Sequence, residues 1–170
     1  MKSSTPILIV GGGIGGLSAA LALGRKGWRV KVLEETSEFG AIGYGIQLGP
    51  NVFHMFERLG IGQAVLKRSI VPNALTMLDS VDGGVIVRVP TGKSFEQRFK
   101  YPYVVLHRVD LHQVLLEACK TVQTIELVPT TTATGFEDGG DKVRLLTNSG
   151  IIEGAAIIAC LLYTSPSPRD

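Results

Sequence analysis

The chain has 170 residues, 45% hydrophobic and 19% charged, which describes an ordinary globular domain and excludes a disordered or fibrous one. Its 17 Lys and Arg against 15 Asp and Glu leave a formal charge of +2, too small to mark a surface for nucleic acid or an anionic membrane. The two cysteines, Cys119 and Cys160, stand at no metal-ligand spacing; they argue against a zinc site or a disulfide framework and for a reducing, cytoplasmic compartment.

Ile7-Leu8-Ile9-Val10 is a short apolar run rich in β-branched residues and predicts a strand buried on both faces. A glycine cluster follows. Residues 14–26 predict a helix with Leu17, Leu21 and Gly24 on one face. Arg25 and Lys26 suit the negative end of its dipole, and Gly27 suits a left-handed cap. Val30-Lys31-Val32-Leu33 predicts a second strand, and a β-α-β crossover of this kind makes a parallel pair. Residues 7–24 carry no charge and by length alone resemble a signal peptide or a spanning helix. The five glycines within residues 11–16 oppose that reading, because each costs a helix about 1 kcal/mol relative to alanine.

Residues 39–50 read as a glycine-rich loop, and residues 51–59 carry Val52, Phe53, Phe56 and Leu59 at helical spacing. Residues 74–78 and 85–89 predict strands joined through Asp82-Gly83-Gly84, and residues 103–106 another strand. Residues 110–119 predict a helix that buries Leu111, Val114, Leu115 and Ala118, with Asp110 and Gln113 as a capping box. Three more strands are expected at 132–136, 143–147 and 151–159. Asp138-Gly139-Gly140-Asp141 and Asn148-Ser149-Gly150 form the turns between them. The fold class is therefore α/β, with a Rossmann-like parallel sheet, a β-α-β start and added antiparallel segments. Residues 160–170 depart in style from everything before them and look like a translated frame of a sequencing-library transposase adapter. The expectation is a partial, truncated domain over 1–159 followed by a non-native tail; a natural Ser/Pro-rich tail is the alternative.

Gly11-x-Gly13-x-x-Gly16 lies between the first strand and its helix. The first glycine permits the tight turn, the second admits a pyrophosphate close to the backbone, and the third lets helix and strand pack closely. The amides at the helix start, from Ile14 and Gly15, and the helix dipole favour phosphate there. Glu34 ends the second strand roughly 20 residues beyond the loop, where a carboxylate accepts from ribose hydroxyls and repels a 2′-phosphate. The plain alternative is a tight turn that binds nothing and a solvated Glu34.

The motif alone does not separate FAD from NAD. The run Ser37-Glu38-Phe39-Gly40-Ala41-Ile42-Gly43-Tyr44-Gly45-Ile46-Gln47-Leu48-Gly49-Pro50-Asn51 and the run His107-Arg108-Val109-Asp110-Leu111-His112 resemble the class A flavoprotein aromatic hydroxylases, in particular the salicylate and 3-hydroxybenzoate hydroxylase group. With Asp82-Gly83, Pro90-Thr91-Gly92 and Pro102-Tyr103, the likeness is nearest to the 3-hydroxybenzoate 6-hydroxylases, which make gentisate. It extends from Ile7 to about Ala159.

This resemblance implies bound FAD, NADH or NADPH as co-substrate, and a small aromatic acid and molecular oxygen as reactants. It implies that Gly11, Gly13, Gly16 and Glu34 hold the ADP half of FAD, and that Gly45, Ile46 and Gln47 lie along the flavin ring. Arg108 would reach the FAD from the start of a helix, and Thr131 would lie near the adenine. Glu35 stands where the family usually has a basic or amide residue, which bears on the outer adenine contacts. For Arg108 the alternative is a surface cation, and for Gln47 a loop amide. His54, His107 and His112 read as solvated or structural, since no carboxylate or cysteine is spaced to serve them. The family's turn after the strand ending at Ala159, its later flavin-binding Gly-Asp motif and its substrate domain do not follow in this sequence, so no catalytic base is assigned. Salicylate hydroxylation to catechol, another FAD oxidoreductase and a non-catalytic FAD-binding module stay as alternatives.

Overall fold

The computed structural model describes residues 5–40 and 44–160. In chain order the elements are β1 (Ile7–Val10), α1 (Ile14–Arg25), β2 (Val30–Leu33), β3 (Gly45–Leu48), α2 (Pro50–Arg58), α3 (Gly62–Lys67), β4 (Ala74–Leu78), β5 (Val85–Pro90), α4 (Lys93–Phe99), β6 (Val104–His107), α5 (Arg108–Lys120), β7 (Ile125–Val128), β8 (Ala133–Asp138), β9 (Val143–Thr147), β10 (Gly150–Gly154) and β11 (Ala156–Ala159). They form two units. The first is the described part of Met1–Ala41 with His112–Asp170, and the second that of Ile42–Leu111; the division falls within α5.

The first unit is built on a parallel sheet ordered β11-β1-β2-β7. β1 is central and buried on both sides, which is why its sequence is continuously apolar. Leu8 and Val10 cluster with Leu33 and Leu145, and Val128, Ile152 and Ile157 pack against them. Ile9 faces the other way, towards Gly16 of α1. α1 buries Gly16, Leu17, Ala20, Leu21 and Gly24. It ends as its sequence predicts: Gly27 N–H donates to the Gly24 carbonyl at 2.8 Å and Trp28 N–H to the Leu23 carbonyl at 3.1 Å, a Schellman arrangement. A second sheet, antiparallel and ordered β10-β9-β8, is joined through the two glycine turns. Arg144 links to Glu137 at 2.7 Å and Lys142 to Glu153 at 3.1 Å on its exposed surface.

The second unit pairs β3 with β6 antiparallel and β4 with β5 as a hairpin. Phe53 and Phe56 of α2 are buried, and Phe53 stacks on Tyr101 with ring centroids 5.9 Å apart. The hairpin is exposed along the whole of β5, including Val85, Ile86, Val87 and Val89. No helix among the described residues is long and apolar enough to cross a membrane.

Several expectations are corrected. Residues 151–159 are not one strand: β10 ends at Gly154, and β11 joins the other sheet beside β1. The loop at 39–50 contains β3, whose strand character comes from its pairing with β6. The capping box is absent. α5 starts at Arg108, the Val109 N–H donates to Nδ1 of His107 at 3.3 Å, and Gln113 turns to Glu117 at 3.0 Å. β7, α3 and α4 had no prediction. β7 is four residues interrupted by Glu126, and it is fixed by a neighbour: Lys31 lies opposite Glu126 in register and pairs with it at 3.1 Å. Ala41-Ile42-Gly43 of the family-like run and residues 161–170 of the expected tail lie outside the described residues.

Leu8 is fully buried in the cluster that joins the two sheets, so Leu8→Ala is expected to cost about 2–5 kcal/mol in denaturant unfolding. Val81, 93% exposed, is expected to tolerate alanine within about 0.5 kcal/mol. Equal effects would contradict the placement of the core.

Candidate functional site

β1 and β2 run parallel with Val10 beside Leu33, so the residues that follow each strand emerge together at one edge of the sheet. Those residues are the glycine loop and Glu34. Gly11 has φ = 103° and donates its N–H to the Leu33 carbonyl at 2.8 Å, which turns the chain away from the sheet. Gly13 is the N-cap of α1, and the first backbone bond of the helix runs from Leu17 N–H to the Gly13 carbonyl at 2.9 Å. The N–H groups of Ile14, Gly15 and Gly16 precede that bond, so helix geometry gives them no acceptor within α1. A side chain at Gly16 would overlap the Gly11 carbonyl oxygen, whereas the space beside Gly13 and Gly15 is open. Close packing below and open approach above is the shape a diphosphate requires.

Glu34 is held from both sides. Its N–H donates to the Val128 carbonyl at 2.9 Å, and its carbonyl accepts from Thr131 N–H at 2.8 Å. Its carboxylate accepts from Gly12 N–H at 2.7 Å and from Thr36 N–H at 3.1 Å. The Thr36 hydroxyl lies 3.0 Å from the same carboxylate but 2.6 Å from the Glu38 carbonyl, and it has a single proton to give. A carboxylate offers about four acceptor positions, so two backbone donors leave roughly two, the number a ribose diol fills. Beside it lies a cleft of about 230 Å³ lined by Gly11, Glu34, Glu35, Thr131, Thr132 and Ala133. Thr131 is buried and donates its hydroxyl to the Pro129 carbonyl at 3.1 Å, while Glu35 is exposed at the rim.

A larger depression of about 840 Å³ lies at the opposite edge of the sheet and includes Arg29, Lys31, Glu126 and Glu153. Lys31 and Glu126 neutralise each other there at 3.1 Å, and none of its described lining residues belongs to a glycine loop or a helix start. The smaller cleft is the better site.

Eight of the sequence-derived positions therefore belong to the first unit: Gly11, Gly13, Ile14, Gly15, Gly16, Glu34, Glu35 and Thr131. Gly45, Ile46, Gln47 and Arg108 belong to the second. Within it, Gly45 pairs in register with His107, Arg108 N–H donates to the Tyr44 carbonyl at 3.0 Å, and the Tyr103 hydroxyl donates to the Gln47 side-chain oxygen. Gly45 and Arg108 lie at one end of the β3/β6 pair, and Gln47, opposite Val105, lies towards the other. His54 packs edge-on to the Tyr101 ring at 4.7 Å, and His107 caps α5.

Sequence reasoning missed three participants. Gly12 occupies a position the motif leaves free, yet a side chain there would meet the Phe39 ring at 2.5 Å and the Glu34 carboxylate at 2.9 Å. His112 is buried, with Nε2 2.8 Å from the Gly12 carbonyl. Thr36 secures Glu34. The unbroken Gly11-Gly12-Gly13 run was the available signal for the first; nothing local marks the other two. Cys119 is also buried, and that burial pushes its thiol up to about 11 against the partial offset of Arg25, so it is no nucleophile. No cluster suited to a metal occurs among the described residues.

A family model described as FAD binding domain matches residues 4–149. The chain is 48% identical over 145 residues to a 3-hydroxybenzoate 6-hydroxylase of Polaromonas naphthalenivorans (strain CJ2), covering 85% of this chain and 36% of that protein. It is 41% identical over 143 residues to a 3-hydroxybenzoate 6-hydroxylase of Klebsiella oxytoca, covering 84% and 36%. The fold superposes on the tetrameric form of 2-methyl-3-hydroxypyridine-5-carboxylic acid oxygenase with a TM-score of 0.77 and 26% identity, covering 91% of this chain and 39% of that one. The chain thus spans about 36% of the length of the curated relatives it matches.

The two glycines that differ in surroundings are expected to respond differently to alanine. Gly16→Ala must force α1 off β1 and is expected to lower stability by about 1–3 kcal/mol. Gly13→Ala meets open space and is expected to leave stability within about 0.5 kcal/mol while weakening FAD. Thermal unfolding and flavin titration of the two variants separate these effects; an intact Gly16→Ala protein binding FAD as wild type would refute the close packing.

Proposed function

Because this chain belongs to the FAD binding domain family, we propose that it supplies the ADP-binding portion of an FAD-dependent monooxygenase that hydroxylates a phenolic aromatic acid, with 3-hydroxybenzoate converted to gentisate. What supports this substrate is the 40–48% identity to three relatives that carry the name 3-hydroxybenzoate 6-hydroxylase. What supports the cofactor role is that the start of α1 and Glu34 stand together at one sheet edge, with the Gly12 N–H donating to the Glu34 carboxylate. NADH or NADPH and molecular oxygen are the co-substrates in this reading, and the enzyme acts in the cytoplasm without a nucleic-acid or membrane partner.

The residues divide the work by their chemistry. Gly11, Gly13, Ile14, Gly15 and Gly16 receive the diphosphate with backbone N–H groups and the positive end of the α1 dipole. Glu34 accepts from the adenosine ribose with the acceptor positions that Gly12 and Thr36 leave. Glu35 and Thr131 border the adenine at the neighbouring cleft. Gly45, Ile46 and Gln47 lie along the flavin ring, with the Tyr103 hydroxyl orienting the Gln47 amide, and Arg108 reaches the FAD from the start of α5. Bound FAD supplies electron transfer and the activation of oxygen; these residues hold it, orient it and exclude water. In this reading none of these residues is assigned as a catalytic base.

Glu34→Ala removes the ribose acceptor. In the full-length protein it is expected to weaken FAD by about 1.5–3 kcal/mol, roughly 10- to 150-fold, and to weaken FMN, which has no adenosine, much less. Equal losses in paired flavin titrations would contradict the assignment. Product analysis of the full-length protein with NADH, oxygen and 3-hydroxybenzoate is expected to give gentisate. Catechol from salicylate with no gentisate from 3-hydroxybenzoate would overturn the substrate.

A further inference from the structure

His112 is 2% exposed, lies on α5 in the first unit, and places Nε2 2.8 Å from the Gly12 carbonyl oxygen. A carbonyl only accepts, so Nε2 carries the proton whatever the state of Nδ1. The N–H of the same Gly12 donates to the Glu34 carboxylate at 2.7 Å, and the Phe39 ring occupies the place of any Gly12 side chain. Gly12 is therefore fastened at its N–H, its carbonyl and its α-carbon.

That fastening has a directional result. In a trans peptide the C=O of one residue and the N–H of the next point opposite ways. Holding the Gly12 carbonyl on His112 turns the Gly13 N–H away from α5, beside the open space at Gly13. Without the Nε2 donor the Gly12 carbonyl is a buried acceptor lacking its side-chain partner, and a rotation of the Gly12–Gly13 peptide relieves it at the cost of misdirecting the Gly13 N–H.

We propose that His112 is a positioning residue for the cofactor: through the Gly12 carbonyl it orients the Gly12–Gly13 peptide so that the Gly13 N–H donates to the FAD diphosphate. This rests on the FAD-binding reading above. It differs from a space-filling role, which a leucine of similar bulk would satisfy.

The test is titration of FAD and of ADP into the full-length protein and its His112→Leu and His112→Gln variants. Both ligands carry the diphosphate, so His112→Leu is expected to weaken each by a factor of three or more. His112→Gln, which keeps an N–H donor, is expected to lie nearer wild type than His112→Leu. A loss below threefold for either ligand with His112→Leu, or a His112→Gln affinity nearer to that of His112→Leu, overturns the proposal. A wild-type protein that binds neither FAD nor ADP refutes the FAD reading itself, a separate outcome. Nitrogen-15 NMR of the histidine rings in the unsubstituted protein gives a check independent of folding of the variants. A protonated Nε2 at His112 supports the assignment, and a bare Nε2 overturns it.

Discussion

The register between β1 and β2 is the constraint on which the first unit depends. With Val10 beside Leu33, the chain leaves both strands at the same level, and Gly11 and Glu34 become neighbours without any long-range loop search. One hydrogen bond, from Gly11 N–H to the Leu33 carbonyl, then sets the start of the glycine loop against the end of β2. A slip of one residue would point Leu8 and Val10 away from their cluster and separate the loop from the carboxylate at once. The strand register that buries these apolar side chains therefore also sets the distance between the two groups that receive a dinucleotide. The flanking strands reinforce it: β11 pairs with β1 and β7 with β2, and Val128 accepts the Glu34 N–H.

Glu34 shows how one side chain serves structure and recognition together. It ties down the loop through Gly12, and Thr36 ties down Glu34. A carboxylate fixed by two backbone donors keeps its orientation and still has acceptor capacity for a ribose. Ordering a freely rotating glutamate on binding would cost side-chain entropy that this arrangement has already spent in folding.

Much of this was legible in the sequence because it is local. The run Ile7-Leu8-Ile9-Val10, the three motif glycines, the Gly27 cap and the second strand each follow from neighbours in the chain. What escaped depends on distant partners. Gly45-Ile46-Gln47-Leu48 looks like loop by composition and becomes β3 through β6. β7 contains a charge that only Lys31 of β2 explains. Residues 151–159 are apolar except for Glu153 and Gly154, and a single charge and one glycine do not by themselves show that the chain changes sheets at Gly154 and Ala155. Asp110 and Gln113 satisfied a capping rule, but His107 supplied the cap three residues earlier. At the site, the phosphate loop and Glu34 were visible from spacing, whereas the contact of His112 with Gly12 spans 100 residues and has no local signature.

The central claim is that one sheet edge presents the α1 amides and Glu34 as a single receptor for the ADP half of FAD. A crystal structure of the full-length protein with FAD bound tests it most directly. The account predicts diphosphate oxygens within hydrogen-bonding distance of the backbone N–H groups at Gly13 and the first turn of α1, and ribose hydroxyls on the Glu34 carboxylate. A diphosphate bound away from α1, or a ribose that leaves Glu34 untouched, would contradict it.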